Sequence, residues 1–156
     1  MEILIVVDVQ NDFLENGALE VPGSNRIIPV VNNLIDRFDH VIYTQDWHPV
    51  GHKSFASSHK GKEIGDIIPL GRVKQYLWPD HCIQGTFGAD FHPDLNVVKD
   101  ARVFQKGTNH EVDSYSAFYD NVKIHSTGLT SYLQDNQYTK LFICGLASDY
   151  CVKFSV

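Results

Sequence analysis

Sorted only into apolar and polar positions, the chain begins with an apolar block at 3–7, ILIVV, closed by the carboxylate of Asp8. The block is short, β-branched and apolar at odd and even positions alike, the pattern of a strand buried on both faces. Past a loop holding Pro22 and Gly23 the period changes. Ile27, Ile28, Val30, Val31, Leu34, Ile35 and Phe38 recur with helical spacing, and Ser24 stands where a helix cap belongs. HVIYTQD at 40–46 predicts a second strand with a polar tip, and ARVFQKG at 101–107 a third. DSYSAFYD at 113–120 reads as an irregular segment on the ligand side, TGLTSYLQDNQ at 127–137 as a short helix, and KLFIC at 140–144 as a fourth strand.

Between the second and third strands, residues 47–100 carry four of the six prolines and most of the glycines and histidines. They show no sustained period, so they predict a long excursion with short helices, of the kind that carries function. Strands alternating with helices predict one domain over 1–156, a three-layer α/β/α fold around a parallel sheet. Ligands of such sheets bind beyond the carboxyl ends of the strands. Asp8, Asp46, Lys106 and the turn before Cys151 all fall there.

Composition narrows the class. The chain has 156 residues, 43% hydrophobic and 21% charged, with a net charge of -6. That is enough apolar material for one core, and the wrong sign for nucleic acid or an anionic membrane. No apolar run nears the roughly 20 residues that span a bilayer. MEILIVVDVQ has no basic leader, so it reads as a strand and not a signal peptide, and the protein as cytoplasmic with reduced thiols. Cys144 and Cys151 lack the CxxC spacing of a redox pair.

Three polar groups at one sheet edge change the weighting of each. A thiol with an ordinary pKa near 8.5 needs a base or a positive field to act as a nucleophile at neutral pH. Asp8 can take the Cys151 proton, and Lys106 can hold Asp8 and stabilise negative charge. Gly145 permits a sharp exit from the last strand, and Asp149 is placed to cap a helix beginning at Cys151. The backbone N–H groups of Ala147 and Cys151 can then face one oxyanion. Asp46 and His48 stand two apart beyond a strand, and His81 can close a site with them. One carboxylate and two imidazoles suit zinc, iron or manganese. His52 is near the pair and left open; His40, His59, His92, His110 and His125 have no such partners.

DVQNDF at 8–13, TQDWHP at 44–49, WPDHC at 78–82, FQKGT at 104–108 and CGLASDYCV at 144–152 together resemble the nicotinamidase/pyrazinamidase branch of the isochorismatase-like cysteine hydrolases. The resemblance runs along the whole chain with every motif in order. It implies an Asp8–Lys106–Cys151 triad and a cis peptide before Ala147 in the oxyanion hole. It also implies one divalent metal ion, zinc first with iron or manganese as alternatives, on Asp46, His48 and His81. Ser54 aligns with a fourth ligand position, where a hydroxyl would act through water. Phe13, Trp78 and Tyr115 would wall the ring of the substrate. The implied reaction is hydrolysis of nicotinamide to nicotinate and ammonia through a thioester, in NAD salvage; the sequence leaves the oligomeric state open, a homo-oligomer included. The alternatives are a different amide or ureido substrate, or a non-catalytic nicotinamide or metal binder. Members of the family continue for several elements past the cysteine. An end at Val156 therefore implies a fold without its last elements: a shortened chain, a tail supplied by another chain, or a degenerate binder.

Overall fold

The computed structural model describes all 156 residues. Its main sheet has four parallel strands: β1 (Glu2–Val7), β2 (Val41–Asp46), β5 (Val103–Lys106) and β6 (Lys140–Gly145), in the order β5-β2-β1-β6. β1 is paired along both sides, with Leu4 opposite Val41 and Phe142, which explains why its apolar run does not alternate. A second, two-stranded antiparallel sheet, β3 (Ile67–Leu70) with β4 (Val73–Tyr76), stands in the excursion.

Parity along β1 divides the core into two layers. Leu4 and Val6 pack with Ile28, Val31 and Ile35 of α1 (Ile27–Ile35). Ile3, Ile5 and Val7 pack on the opposite face with Leu129 and Leu133 of α2 (Leu129–Asp135) and with Cys151, the first residue of α3 (Cys151–Phe154). This is the α/β/α layering that the alternation of elements predicts. No helix is long and apolar enough to cross a membrane.

Four local readings need correction. α1 ends at Ile35, short of Phe38, which instead packs edge-on against Phe142 at 4.9 Å. Ser24 does not cap α1: it opens a 3-10 turn, Ser24–Arg26, and its buried Oγ has no partner. Asp149 does not cap α3, whose capping position is Tyr150 and has no side-chain hydrogen bond. The excursion holds only 3-10 turns (Ala56–Ser58 and Phe87–Ala89) where short helices were expected, and the β3–β4 hairpin was not expected at all. Its signal is LGRV, in which Gly71 takes φ +58° between two apolar strand ends.

Candidate active site

The carboxyl ends of the strands deliver the site. Asp8 follows β1 with φ +49°, a left-handed conformation that is uncommon outside glycine and that turns the chain sharply out of the sheet. Its carboxylate is fully buried. Thr44 Oγ1 donates to Asp8 Oδ1 at 2.6 Å, and Lys106 Nζ lies 2.9 Å from Oδ2. The two oxygens of Asp8 are thus held by different partners, a hydroxyl on one and an ammonium on the other. Lys106 also pairs with Asp46 Oδ1, donates to Ser114 O at 3.0 Å and reaches Cys151 Sγ at 3.4 Å. One ligand atom each from Asp8, Asp46 and Cys151 lie within 4.8 Å of one another.

The electrostatics follow from burial set against these pairs. Burial lowers the affinity of Lys106 for its proton, but Asp46 and Asp8 outweigh that and hold the ammonium well above its ordinary value. Burial raises Asp46, yet Lys106 and then His48 keep it a carboxylate, well below its usual range. For Asp8, burial is the larger influence and raises its pKa against the pull of Lys106. Burial likewise pushes the Cys151 thiol well up, with Lys106 opposing. Burial thus favours the protonated form of both Asp8 and Cys151, and Lys106 opposes it in each.

Gly145 takes φ +125°, and a Cβ there would lie 2.0 Å from Val7 O, so only glycine lets β6 leave the sheet at this point. The next peptide, Leu146–Ala147, is cis. Neither the Ala147 nor the Cys151 N–H donates to any protein acceptor, whereas the Tyr150 and Val152 N–H groups both donate to Ala147 O. Two free donors thus flank the thiol.

Beside this group Asp46, His48 and His81 converge. Asp46 Oδ2 lies 3.5 Å from His48 Nε2 and 3.7 Å from His81 Nε2. Each imidazole is oriented from behind. His48 Nδ1 donates to Gly107 O at 2.9 Å and His81 Nδ1 to Pro79 O at 2.8 Å, which turns both Nε2 lone pairs towards Asp46. His48 Nε2 is buried without a partner. Two bare imidazole nitrogens facing a buried carboxylate are the donor set of a divalent metal, and the residues fit one. Asp46 raises His48 against the opposing effect of burial, so a proton or a metal cation is what this arrangement attracts.

Ser54 is buried and its hydroxyl donates to His52 Nδ1 at 2.7 Å, so it has only acceptor capacity left for a water. His52 spends its other nitrogen on Asn109 O at 2.8 Å and has none for a metal. Burial and the neighbouring His48 lower its pKa to about 4, which keeps it neutral. Among the other histidines, His40 is exposed, His59 bonds to Lys53 O, and His92, His110 and His125 face their own carboxylates.

Phe13, Trp78 and Tyr115 line a cavity of about 220 Å³ that also touches His81, Ala147 and Cys151. The Tyr115 hydroxyl accepts from Trp78 Nε1 at 3.2 Å, fixing the two rings edge to face. Sequence reasoning missed Tyr150, whose ring stands 4.9 Å from Trp78 and closes the same wall. It also missed Phe55, which packs against His48 and His81, both at 5.4 Å, and the roles of Gln10, Asp12 and Asp113. Gln10 clamps the Asp46 backbone in both directions, accepting its N–H at 2.9 Å and donating to its carbonyl at 2.8 Å. Asp12 accepts the Cys82 N–H at 2.7 Å and so fixes the loop that carries His81. Gln10 and Asp12 both belong to the DVQNDF motif, and that membership is the signal the sequence offers for them.

Residues 2–156 match the model of the isochorismatase domain. The chain belongs to the isochorismatase family. Within that family it is 48% identical to the nicotinamidase of Escherichia coli, over 98% of this chain and 73% of that one. It is 46% identical to the nicotinamidase of Acinetobacter baylyi, over 97% and 71% respectively. Among solved structures, a nicotinamidase/pyrazinamidase of Acinetobacter baumanii superposes with a TM-score of 0.96 at 45% identity, covering 99% of this chain and 74% of that one. A pyrazinamidase of Pyrococcus horikoshii in complex with zinc superposes with a TM-score of 0.78 at 36% identity, over 97% and 74%.

Proposed function

We propose that this chain hydrolyses nicotinamide to nicotinate and ammonia, with Cys151 as nucleophile and a thioester as intermediate. The observation that carries the reading is the buried contact of Asp8, Lys106 and Cys151 at the floor of an aromatic-walled cavity, beside two free backbone donors. The similarity to nicotinamidases supports the choice of amide.

Asp8 takes the Cys151 proton as Sγ attacks the carboxamide carbon. The carbonyl oxygen takes up negative charge against the Ala147 and Cys151 N–H groups, each worth about 3 kcal/mol in such a role. The tetrahedral centre collapses by breaking its C–N bond, and Asp8 passes the proton to the departing nitrogen, which leaves as ammonia. A water then gives a proton to Asp8 and its oxygen to the thioester carbon; the C–S bond breaks and the proton returns to Sγ. Lys106 stays charged throughout, so it orients both carboxylates and shields the forming charge without exchanging protons.

Phe13, Trp78 and Tyr115 bind the flat ring, and their fixed edges limit its rotation. Asp46, His48 and His81 would hold a divalent cation, zinc by preference because the zinc-bound relative shares the fold. When bound, that ion supplies a Lewis-acid contact for the pyridine nitrogen. Ser54 is the remaining acceptor for a water at that site. The three free cysteines fit a reducing compartment, and NAD salvage in the cytoplasm is where this reaction belongs.

The test is ammonia release from nicotinamide by the zinc-loaded protein, paired with Cys151→Ala. Turnover in the wild type, lost in the variant while ring binding persists as quenching of tryptophan fluorescence, is the expected result. Turnover that survives Cys151→Ala would remove the nucleophile from this account.

A further inference from the structure

Asp113 has no part in the chemistry above, yet it is one of the most confined carboxylates in the molecule. It sits in the irregular segment after β5, only 3% exposed, and lines the same cavity as Trp78 and His81. Oδ1 accepts the Ser114 N–H at 2.7 Å, and the Gln75 amide approaches Oδ2 at 3.4 Å. Neither donor carries charge. A buried carboxylate with no lysine or arginine partner is costly unless another cation answers it.

The position of that cation is indicated by His48. Asp113 Oδ1 lies 3.9 Å from His48 Nε2, the buried nitrogen that has no hydrogen-bond partner. Asp46 Oδ2 approaches the same nitrogen at 3.5 Å, so His48 Nε2 has a carboxylate from each of two chain segments beside it. Counting charge shows why one is not enough. Lys106 serves both Asp8 and Asp46, which leaves that trio a single net negative charge. His48 and His81 bind metal as neutral ligands, and His52 is neutral. A dication at Asp46, His48 and His81 would therefore be left with one uncompensated positive charge in a buried site. Asp113 supplies the second negative charge.

We propose that Asp113 is the counter-charge of the metal centre, a positioning residue that raises cation affinity through the local field without being one of the ligands. This rests on the metal site read above. It makes the site a four-residue device in electrostatic terms, and it accounts for a buried acid that the hydrolytic steps leave unused.

The test is zinc affinity of the metal-stripped chain, measured by competition with a chromophoric chelator, for the wild type, Asp113→Asn, Asp113→Glu and Asp46→Ala. Asparagine keeps an acceptor for the Ser114 N–H and nearly the same shape but drops the charge. Its zinc affinity should fall by about tenfold or more, the scale on which groups behind metal ligands act. The melting temperature of metal-free Asp113→Asn should hold or rise, because an unanswered buried charge has gone. Asp113→Glu keeps the charge and should recover most of the affinity. An Asp113→Asn affinity within about threefold of the wild type overturns the proposal. Equal losses in Asp113→Asn and Asp113→Glu overturn it too, since they would trace the effect to packing. Should Asp113→Asn not fold, Asp113→Ser is the neutral variant with the same two readings. A wild type that binds no zinc, or an Asp46→Ala that binds as tightly, sinks the metal site itself and this inference with it. Intact wild-type binding lost in Asp46→Ala but unchanged in Asp113→Asn sinks this inference alone.

Discussion

Thr44 shows how finely the base is set by a single residue. Its hydroxyl donates to the charged form of Asp8 and so holds the carboxyl pKa lower than burial alone would leave it. Thr44→Val keeps the shape and removes that donor. A hydrogen bond to a charged group is worth about 1.5–3 kcal/mol, so the acid limb of kcat/KM should move to higher pH by about one unit or more. The sign is fixed: the base must be ionised to act, and losing a donor makes ionisation harder. A pH profile of the two proteins checks it, and a limb that stays put or moves to lower pH removes Asp8 as the titrating base. Gly107 sets the metal site as firmly. It takes φ +64°, and a Cβ would lie 2.4 Å from His48 Cε1. Gly107→Ala should displace that imidazole and lower zinc affinity by at least about tenfold, with stability falling by more than about 1 kcal/mol. Zinc titration and urea melting read the two effects separately.

The proposed reactive residues stood out in the sequence because chemistry restricts which types can serve. Asp8 ends an apolar run, where an ionised side chain is expensive and so has a reason to be there, and Asp46 and Lys106 stand at the polar tips of two further strands. Asp113 was not legible, because its segment is irregular and nothing in DSYSAFYD says which side chains turn inwards. Gln10 and Asp12 were visible only as members of a motif. Their work is to hold backbone groups of residues far along the chain, which no local pattern encodes.

Elements were read well where one period ruled. β1, β2, β5, β6 and α2 lie within a few residues of the apolar runs that predict them. Reading failed where tertiary contacts overrode the period, as at Phe38, which leaves α1 to pack on β6, or where a turn residue carried the signal, as at Gly71. The exit from β6 is the element-level feature with the sharpest consequence. Gly145→Ala would press a methyl group into the Val7 carbonyl and cannot be relieved by rotating a side chain. It should cost at least about 3 kcal/mol, since both the β1–β6 pairing and the turn to Cys151 are involved. Urea denaturation measures this, and a loss below about 1 kcal/mol would mean the turn relaxes more easily than its contacts imply.

At the scale of the molecule, the proposed metal ligands join segments that the sheet does not. Asp46 ends β2, whereas His81 stands deep in the excursion and is held by the Asp12 carboxylate through the neighbouring Cys82 N–H. A bound cation is thus a cross-link between the strand edge and the long loop. Zinc present at about 100 times its dissociation constant should add about 2.7 kcal/mol to folding. For a domain of this size, chelation should therefore lower the melting temperature by about 5–10 °C. Asp46→Ala should melt at one temperature with or without chelator. A wild type equally indifferent to chelator would show that the ion does not brace the loop.

The order of strands has a further consequence, for the timing of reactivity during synthesis. β1 lies between β2 and β6, so the base emerges from the ribosome first and the thiol last among the groups of the triad. β1 and β2 can pair, and Asp8, Asp46 and Lys106 can neutralise one another, while Cys151 is still in the exit tunnel. Until β6 docks along the free edge of β1, that cysteine is apart from the Asp8 carboxylate and the Lys106 ammonium that it meets in the folded chain. The nascent thiol is then an ordinary solvated cysteine, without the neighbours that the proposed reaction uses. Docking of β6 along β1 is the event that brings Cys151 to Asp8 and Lys106.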